Sequence, residues 1–211
     1  MPTRRIALGS LAAALIALTL GPAGAADRLS IVATTGMIAD AAREVGGARV
    51  EVRTLMGPGI DPHSYRQTRS DIVATAQADL VLWHGLYLEA QMEGFLQDLA
   101  EERPVVAVAE SLPRNLLIAH DDYEDKHDPH VWMNPNLWAR VVLTVRDALI
   151  ERDPQGEADY RANAAAHLDE LERLARYTTE VLSSVPADRR VLVTAHDAFN
   201  YFGSAYGFEV V

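Results

Sequence analysis

Residues 29–55 read LSIVATTGMIADAAREVGGARVEVRTL, and the changes of hydrophobic period within them decide the fold. Leu29 to Thr34 is a β-rich run. Gly36 to Val45 switches to helical spacing, with Met37, Ile38, Ala41 and Ala42 recurring on one face, and Val50 to Leu55 alternates apolar and polar residues as a strand does. The same alternation continues downstream. Ser70 is placed to cap a short helix through Ala76, with Asp71 favourable in its first turn. Leu80 to Trp83 is a continuous apolar run suited to a buried parallel strand, Glu89 to Leu99 follows as a helix, and Val105 to Val108 is a fourth strand. Strands separated by helices predict the α/β class, with a parallel sheet covered on both faces.

Two longer helices come next. Asn136 to Glu151 puts Leu137, Trp138, Val141, Val142, Val145 and Leu149 on one stripe. After a break at Asp153-Pro154, Glu157 to Leu182 carries Tyr160, Ala164, Leu168, Leu171, Ala175 and Leu182 at helical spacing, with charged residues opposite. That helix would be about 40 Å long, either an ordinary packing helix or a rigid strut between two lobes. Pro186 ends it, and Val191 to Ala195 opens a new strand. The expected organisation is an N-terminal α/β lobe over 27–155, a linking helix over 156–185, and the start of a second α/β lobe over 186–211 that the sequence leaves incomplete.

Composition narrows the chemistry. The 211 residues carry a formal net charge of −11 and no cysteine. An acidic chain repels phosphate backbones, which argues against nucleic acid as a partner. Without cysteine there is no disulfide framework, thiolate zinc site, thiol nucleophile or lipid-carrying cysteine, so seven histidines are the main candidates for chemistry. Residues 1–26 read as a secretory signal peptide: Arg4 and Arg5, an apolar run from Ile6 to Leu20, then Ala23-Gly24-Ala25 as a small-residue cleavage site. The apolar run is short for a membrane anchor, and Thr3-Arg4-Arg5 is only a faint twin-arginine pattern. The expected location is the periplasm.

Asp-Pro-His occurs twice, at Asp61-Pro62-His63 and Asp128-Pro129-His130. Average residue usage predicts one such triplet in about one in a hundred chains of this length. Proline fixes its own φ and biases the preceding Asp towards an extended backbone, so each imidazole is presented with little freedom, which favours metal ligation. Asp61 and Asp128 are placed to orient the rings or raise their basicity. His196 follows the Val191 strand, and ligands of open α/β sheets bind beyond the carboxyl ends of strands. Spacing alone also allows three separately hydrogen-bonded loop histidines.

Three segments, MGPGIDPHSY, DPHVWMNPNLW and RRVLVTAHDAFNYFGSAYGFEV, together closely resemble the zinc/manganese-binding solute receptors of ABC importers. The resemblance begins near Ile31 and includes His84-Gly85-Leu86-Tyr87-Leu88-Glu89. It implies two α/β lobes joined by one long helix, with the metal between them. His63 and His130 then match the ligands of the first lobe and His196 the first ligand of the second. The family's fourth ligand, usually an aspartate further along, has no counterpart before Val211. Family members selective for manganese often have a glutamate where His196 stands.

The remaining histidines carry less. His84 is expected in a supporting or packing role, His120 and His127 in a solvated acidic loop with Asp121, Asp122, Glu124 and Asp125, and His167 in a structural role on the long helix. Trp132, Trp138, Phe199, Tyr201 and Phe202 are expected as core or cleft wall. Three imidazoles and a carboxylate suit Zn²⁺, whereas Mn²⁺ prefers more oxygen. The expected function is a monomeric, non-enzymatic binding protein that captures zinc or manganese as transported ligand and delivers it to the membrane permease of an ABC importer. Two alternatives are a zinc metallohydrolase, disfavoured by the lack of H-E-x-x-H, and an adhesin-like interaction protein on the same scaffold, mediating cell adhesion.

Overall fold

The first strand–helix–strand unit forms β1 (Leu29–Ala33), α1 (Gly36–Gly46) and β2 (Val50–Thr54). The computed structural model describes residues 28–120 and 123–211. The expected signal segment 1–26, with Asp121 and Asp122, lies outside the described residues. β1 pairs in parallel with β2 on one side and with β3 (Leu80–Trp83) on the other, and β3 pairs in parallel with β4 (Val105–Ala107). The strand order is β2-β1-β3-β4. The chain therefore reverses direction across the sheet between β2 and β3, and the crevice above the carboxyl ends of β1 and β3 is the topological switch point where such sheets bind ligands.

Both faces of the sheet are buried, which is why LVLW at 80–83 lacks a polar residue. Ile31, Ala33, Leu80 and Leu82 pack with Ile38, Ala41, Ala42 and Val45 of α1 and with Val141, Val142, Val145 and Leu149 of α4 (Pro135–Arg152). Val32, Val81 and Trp83 point the other way, against Ala74 of α2 (Arg69–Gln77), Leu96 of α3 (Glu93–Ala100), Met56 and Met92. The two-residue period of the strands sorts neighbours into these two layers.

Three sequence expectations need correction. α2 is capped by Thr68, not Ser70: the Thr68 hydroxyl accepts from the Asp71 N–H at 3.3 Å while the Asp71 carboxylate accepts from the Thr68 N–H at 2.8 Å. α3 begins at Glu93, not Glu89, because Gly85, Leu86 and Tyr87 take positive φ values of 80°, 52° and 68° and turn the chain so that Glu89 points inward. The strand expected over Val191 to Ala195 is only β5 (Val191–Leu192). Thr194 N–H still donates to the Val211 carbonyl at 3.1 Å, and the chain then bends, with Ala198 N–H donating back to the His196 carbonyl at 2.9 Å.

α5 (Glu157–Ser183) buries Tyr160 and Ala164 and packs Leu168 and Leu171 against the main core, while Leu174, Tyr177 and Val181 further along are exposed. Its start is fixed at Asp153, whose Oδ2 accepts from Tyr160 Oη at 2.8 Å and from Arg49 Nε at 2.9 Å. A second strand–helix–strand unit follows: β5, α6 (Asn200–Tyr206) and β6 (Glu209–Val210), with β5 and β6 parallel. Tyr201 of α6 enters the main core. No described helix is long and apolar enough to cross a membrane.

Candidate metal centre

Both Asp-Pro-His segments fold as the same turn, the Asp side chain accepting from the backbone N–H two residues on. Asp61 Oδ1 accepts from His63 N–H at 3.0 Å, and Asp128 Oδ1 from His130 N–H at 2.9 Å. The carboxylates then part company. Asp128 Oδ1 also holds His130 Nδ1 at 2.7 Å, which leaves Nε2 of that ring as the lone-pair donor. Asp61 instead accepts from Ser64 Oγ at 2.8 Å, so it shapes the His63 loop and does not orient the His63 ring. The expectation for Asp61 is corrected on this point. Burial works to raise the Asp128 carboxyl, but the bonds from the His130 ring and backbone and from Asn200 outweigh it and hold the group below the ordinary carboxylate range.

His63, His130 and His196 come together. Their donor nitrogens all lie within 4.8 Å of one another, the one such cluster among the described residues. The ring centroids are 5.3, 5.4 and 5.1 Å apart for the pairs 63–130, 63–196 and 130–196. His63 Nε2 and His130 Nε2 are 3.3 Å apart. A tetrahedral site with metal–nitrogen bonds of about 2.0–2.1 Å has donor–donor edges of about 3.3 Å. Burial, and then the neighbouring His130 ring, push the His63 imidazole below its ordinary value, favouring the neutral form a metal needs. His130 is buried, His63 half-buried and His196 exposed. They line an open cleft of about 840 Å³ whose wall also includes His120, Trp132 and Phe199.

His84 stays out of the cluster. It is fully buried, its Nε2 donates to the Pro129 carbonyl at 2.7 Å, and its ring lies edge-on to Trp132. Burial pushes it down to about 3, so the ring is neutral. It braces the turn that carries His130. His127 is half-buried, and His167 lies on α5 with Nδ1 3.8 Å from Glu170. Trp138 is core, and Phe202 packs among Phe199, Tyr206 and Phe208.

Sequence reasoning missed Glu89. Its buried carboxylate accepts from Thr34 Oγ1 at 2.6 Å, His84 N–H at 2.8 Å and Gly85 N–H at 3.2 Å, which ties the β1 and β3 ends together at the switch point. Burial pushes this carboxyl up. The readable signal is an acidic residue shortly after an apolar strand. Asn200 was missed as well; its amide reaches Asp128 Oδ2 at 3.2 Å.

The comparisons with known proteins agree with one another. Residues 31–211 match the family described as zinc-uptake complex component A periplasmic, ZnuA. The chain is 42% identical over 184 residues to the manganese-binding lipoprotein MntA of Bacillus subtilis, covering 87% of this chain and 60% of that protein. It is 40% identical over 205 residues to the zinc-binding protein TroA of Treponema pallidum, covering 97% of this chain and 66% of TroA. The solved structure of periplasmic zinc-binding TroA from Treponema pallidum matches with a TM-score of 0.84 at 41% identity, over 87% of this chain and 66% of that one. The chain thus spans 60% and 66% of the lengths of the two curated relatives. With an α/β parallel sheet and a match that runs from Ile31 to Val211, this chain belongs to the zinc-uptake complex component A family.

Proposed function

We propose that this chain captures one divalent transition-metal ion, zinc or manganese, on His63, His130 and His196 and passes it to the permease of an ABC importer. The observation that carries the reading is the convergence of three imidazole nitrogens within 4.8 Å from loops far apart in sequence. Binding proceeds by exchange of the ion's waters for imidazoles: His63 and His130 already stand at a tetrahedral edge, and the exposed His196 offers the third donor within 4.8 Å. Neutral nitrogen donors follow the Irving–Williams order, so zinc outcompetes manganese at equal concentration in vitro. The relatives named for zinc and for manganese support both cargoes. We read the organisation as an α/β lobe over 27–155, a link over 156–185 and second-lobe structure over 186–211, with the protein exported to the periplasm.

A turnover function is not part of this reading. The Asp61 and Asp128 carboxylates are occupied by backbone N–H groups, Ser64, His130 and Asn200, so neither stands ready as general base for a metal-bound water. The test is zinc titration of the chain and of His63→Ala, His130→Ala and His196→Ala, alongside ester and peptide hydrolysis assays. One zinc per chain, lost in each variant and without turnover, supports the reading; retained binding in all three variants or metal-dependent hydrolysis overturns it.

A further inference from the structure

Asn200 belongs to neither Asp-Pro-His segment, yet its side-chain amide joins the neighbourhoods of two of the histidines. Asn200 Nδ2 donates to Asp128 Oδ2 at 3.2 Å and to Asp197 Oδ1 at 2.8 Å. Asp128 holds the His130 ring through its other oxygen, and Asp197 directly follows His196. A primary amide carries two N–H protons and no charge, so it can serve two carboxylates at once without adding to their mutual repulsion. The next residue drives into the same turn: Tyr201 Oη donates to the Asp128 carbonyl at 2.9 Å and accepts from Ile118 N–H at 3.0 Å. The start of α6 thus grips Asp128 by side chain and backbone, while His84 holds the adjoining Pro129 carbonyl from the other side.

We propose that Asn200 and Tyr201 are positioning residues for metal capture, locking the loop that carries His196 onto the turn that carries His130. This rests on the three-histidine reading above. The two rings come from opposite ends of a long stretch of chain that includes α4 and α5, and without a direct tie each would have to be ordered separately by the incoming ion. The tie makes them one preformed pair, and by holding Oδ2 it fixes the plane of the Asp128 carboxylate whose Oδ1 orients the His130 ring. A direct partner of a ligating histidine is worth about 10- to 100-fold in metal affinity, and these residues, one contact further out, are expected to be worth about 3- to 10-fold.

The test uses the full chain with Zn²⁺ and Co²⁺ as probes and three variants: Asn200→Ala, Asn200→Asp and Tyr201→Phe. Zinc affinity is read by competition with a chromophoric chelator, ligand geometry by the visible bands of bound Co²⁺, and folding by the thermal midpoint without metal. Asn200 is only partly buried, so its alanine variant folds and decides the case should Tyr201→Phe unfold. The proposal expects Asn200→Ala to bind zinc about 3- to 10-fold more weakly, with altered Co²⁺ bands and a metal-free unfolding transition that stays cooperative at a modestly lowered midpoint, since two hydrogen bonds to carboxylates are lost. Asn200→Asp is expected to be weaker still, because a third carboxylate then faces Asp128 and Asp197. Wild-type affinity and bands in Asn200→Ala overturn the proposal while the histidine site stands, provided His63→Ala, His130→Ala and His196→Ala lose zinc. Retention of zinc by those three overturns both.

Discussion

Replacing Asp128 by asparagine is a near-isosteric change that separates charge from shape at the centre of the site. In the wild type one carboxylate oxygen takes the His130 N–H at 2.9 Å and the ring Nδ1–H at 2.7 Å, while the other takes the Asn200 amide at 3.2 Å. An asparagine can offer its single carbonyl oxygen to His130 or to Asn200, never to both, so one contact becomes donor against donor. The negative charge that Asp128 sets against the His130 ring is also lost. Hydrogen bonds to a charged group contribute about 1.5–3 kcal/mol, and an outer partner of a ligating histidine about 10- to 100-fold in metal affinity, equivalent to about 1.4–2.7 kcal/mol. The two routes agree, so Asp128→Asn should weaken zinc binding about 10- to 100-fold in a chelator competition at pH 7. A stability effect accompanies it. The Asp128 carboxyl is held below its usual range in the folded chain, so its contribution is present above the ordinary carboxylate pKa and is lost as pH falls through the lowered one. Zinc affinity within twofold of wild type would refute the assignment of Asp128 as the group that orients His130.

Other consequences are open to measurement. His84 is held neutral down to about 3 against an ordinary value of 6.5, so the unfolded chain gains its proton first and stability drops as pH falls below 6.5, by up to about 1.4 kcal/mol per pH unit. Urea midpoints between pH 6.5 and 5 should show that slope in wild type and a shallower one in His84→Leu; identical slopes count against the buried neutral ring. Glu89, whose pKa is raised by burial, works in the opposite sense, gaining stability as pH falls through its own range. Glu89→Ala strands the Thr34 hydroxyl and the His84 and Gly85 N–H groups, at about 1–3 kcal/mol each. A loss below about 1 kcal/mol in denaturant unfolding would contradict its role as the knot between β1 and β3. Gly203 lies so close to β6 that an added Cβ would sit 2.7 Å from the Phe208 carbonyl oxygen, so Gly203→Ala should cost about 1–3 kcal/mol, visible as a lowered thermal midpoint. Zinc affinity itself should weaken as pH falls through about 6.5, because protons compete for imidazole; a constant that stays flat from about pH 8 to 5 speaks against histidine ligation.

The elements most readable in the sequence are those in which local pattern and burial coincide. The change of period across 29–55 places β1, α1 and β2, and the stripe from Leu137 to Leu149 lies wholly in the core. Thr68 was legible in principle, since Asp71 stands three residues on, but Ser70 offered the same chemistry and only the backbone path separates them. The start of α3 was not legible: the left-handed run at Gly85, Leu86 and Tyr87 is held by a carboxylate buried against β1, a contact made only when the sheet assembles. The site divides in the same way. The repeated Asp-Pro-His segments mark His63 and His130 from sequence alone. The different duties of Asp61 and Asp128 do not follow from identical triplets, because they depend on which side-chain oxygen meets Ser64 and which meets a ring. Asn200 was hidden because its distant partner Asp128 adjoins it only after α5 has brought the second strand–helix–strand unit back onto the cleft, and the local contact to Asp197 three residues earlier gives no sign of that tie.

X-ray absorption at the zinc edge, on the chain loaded with one equivalent of Zn²⁺, reads the identity and number of the donor atoms around the ion. Three imidazole nitrogens are expected at about 2.0–2.1 Å, with the imidazole count falling by one in any of His63→Ala, His130→Ala or His196→Ala that still holds the ion. A first shell of oxygen alone, or an imidazole count unchanged by all three substitutions, would contradict the three-histidine site.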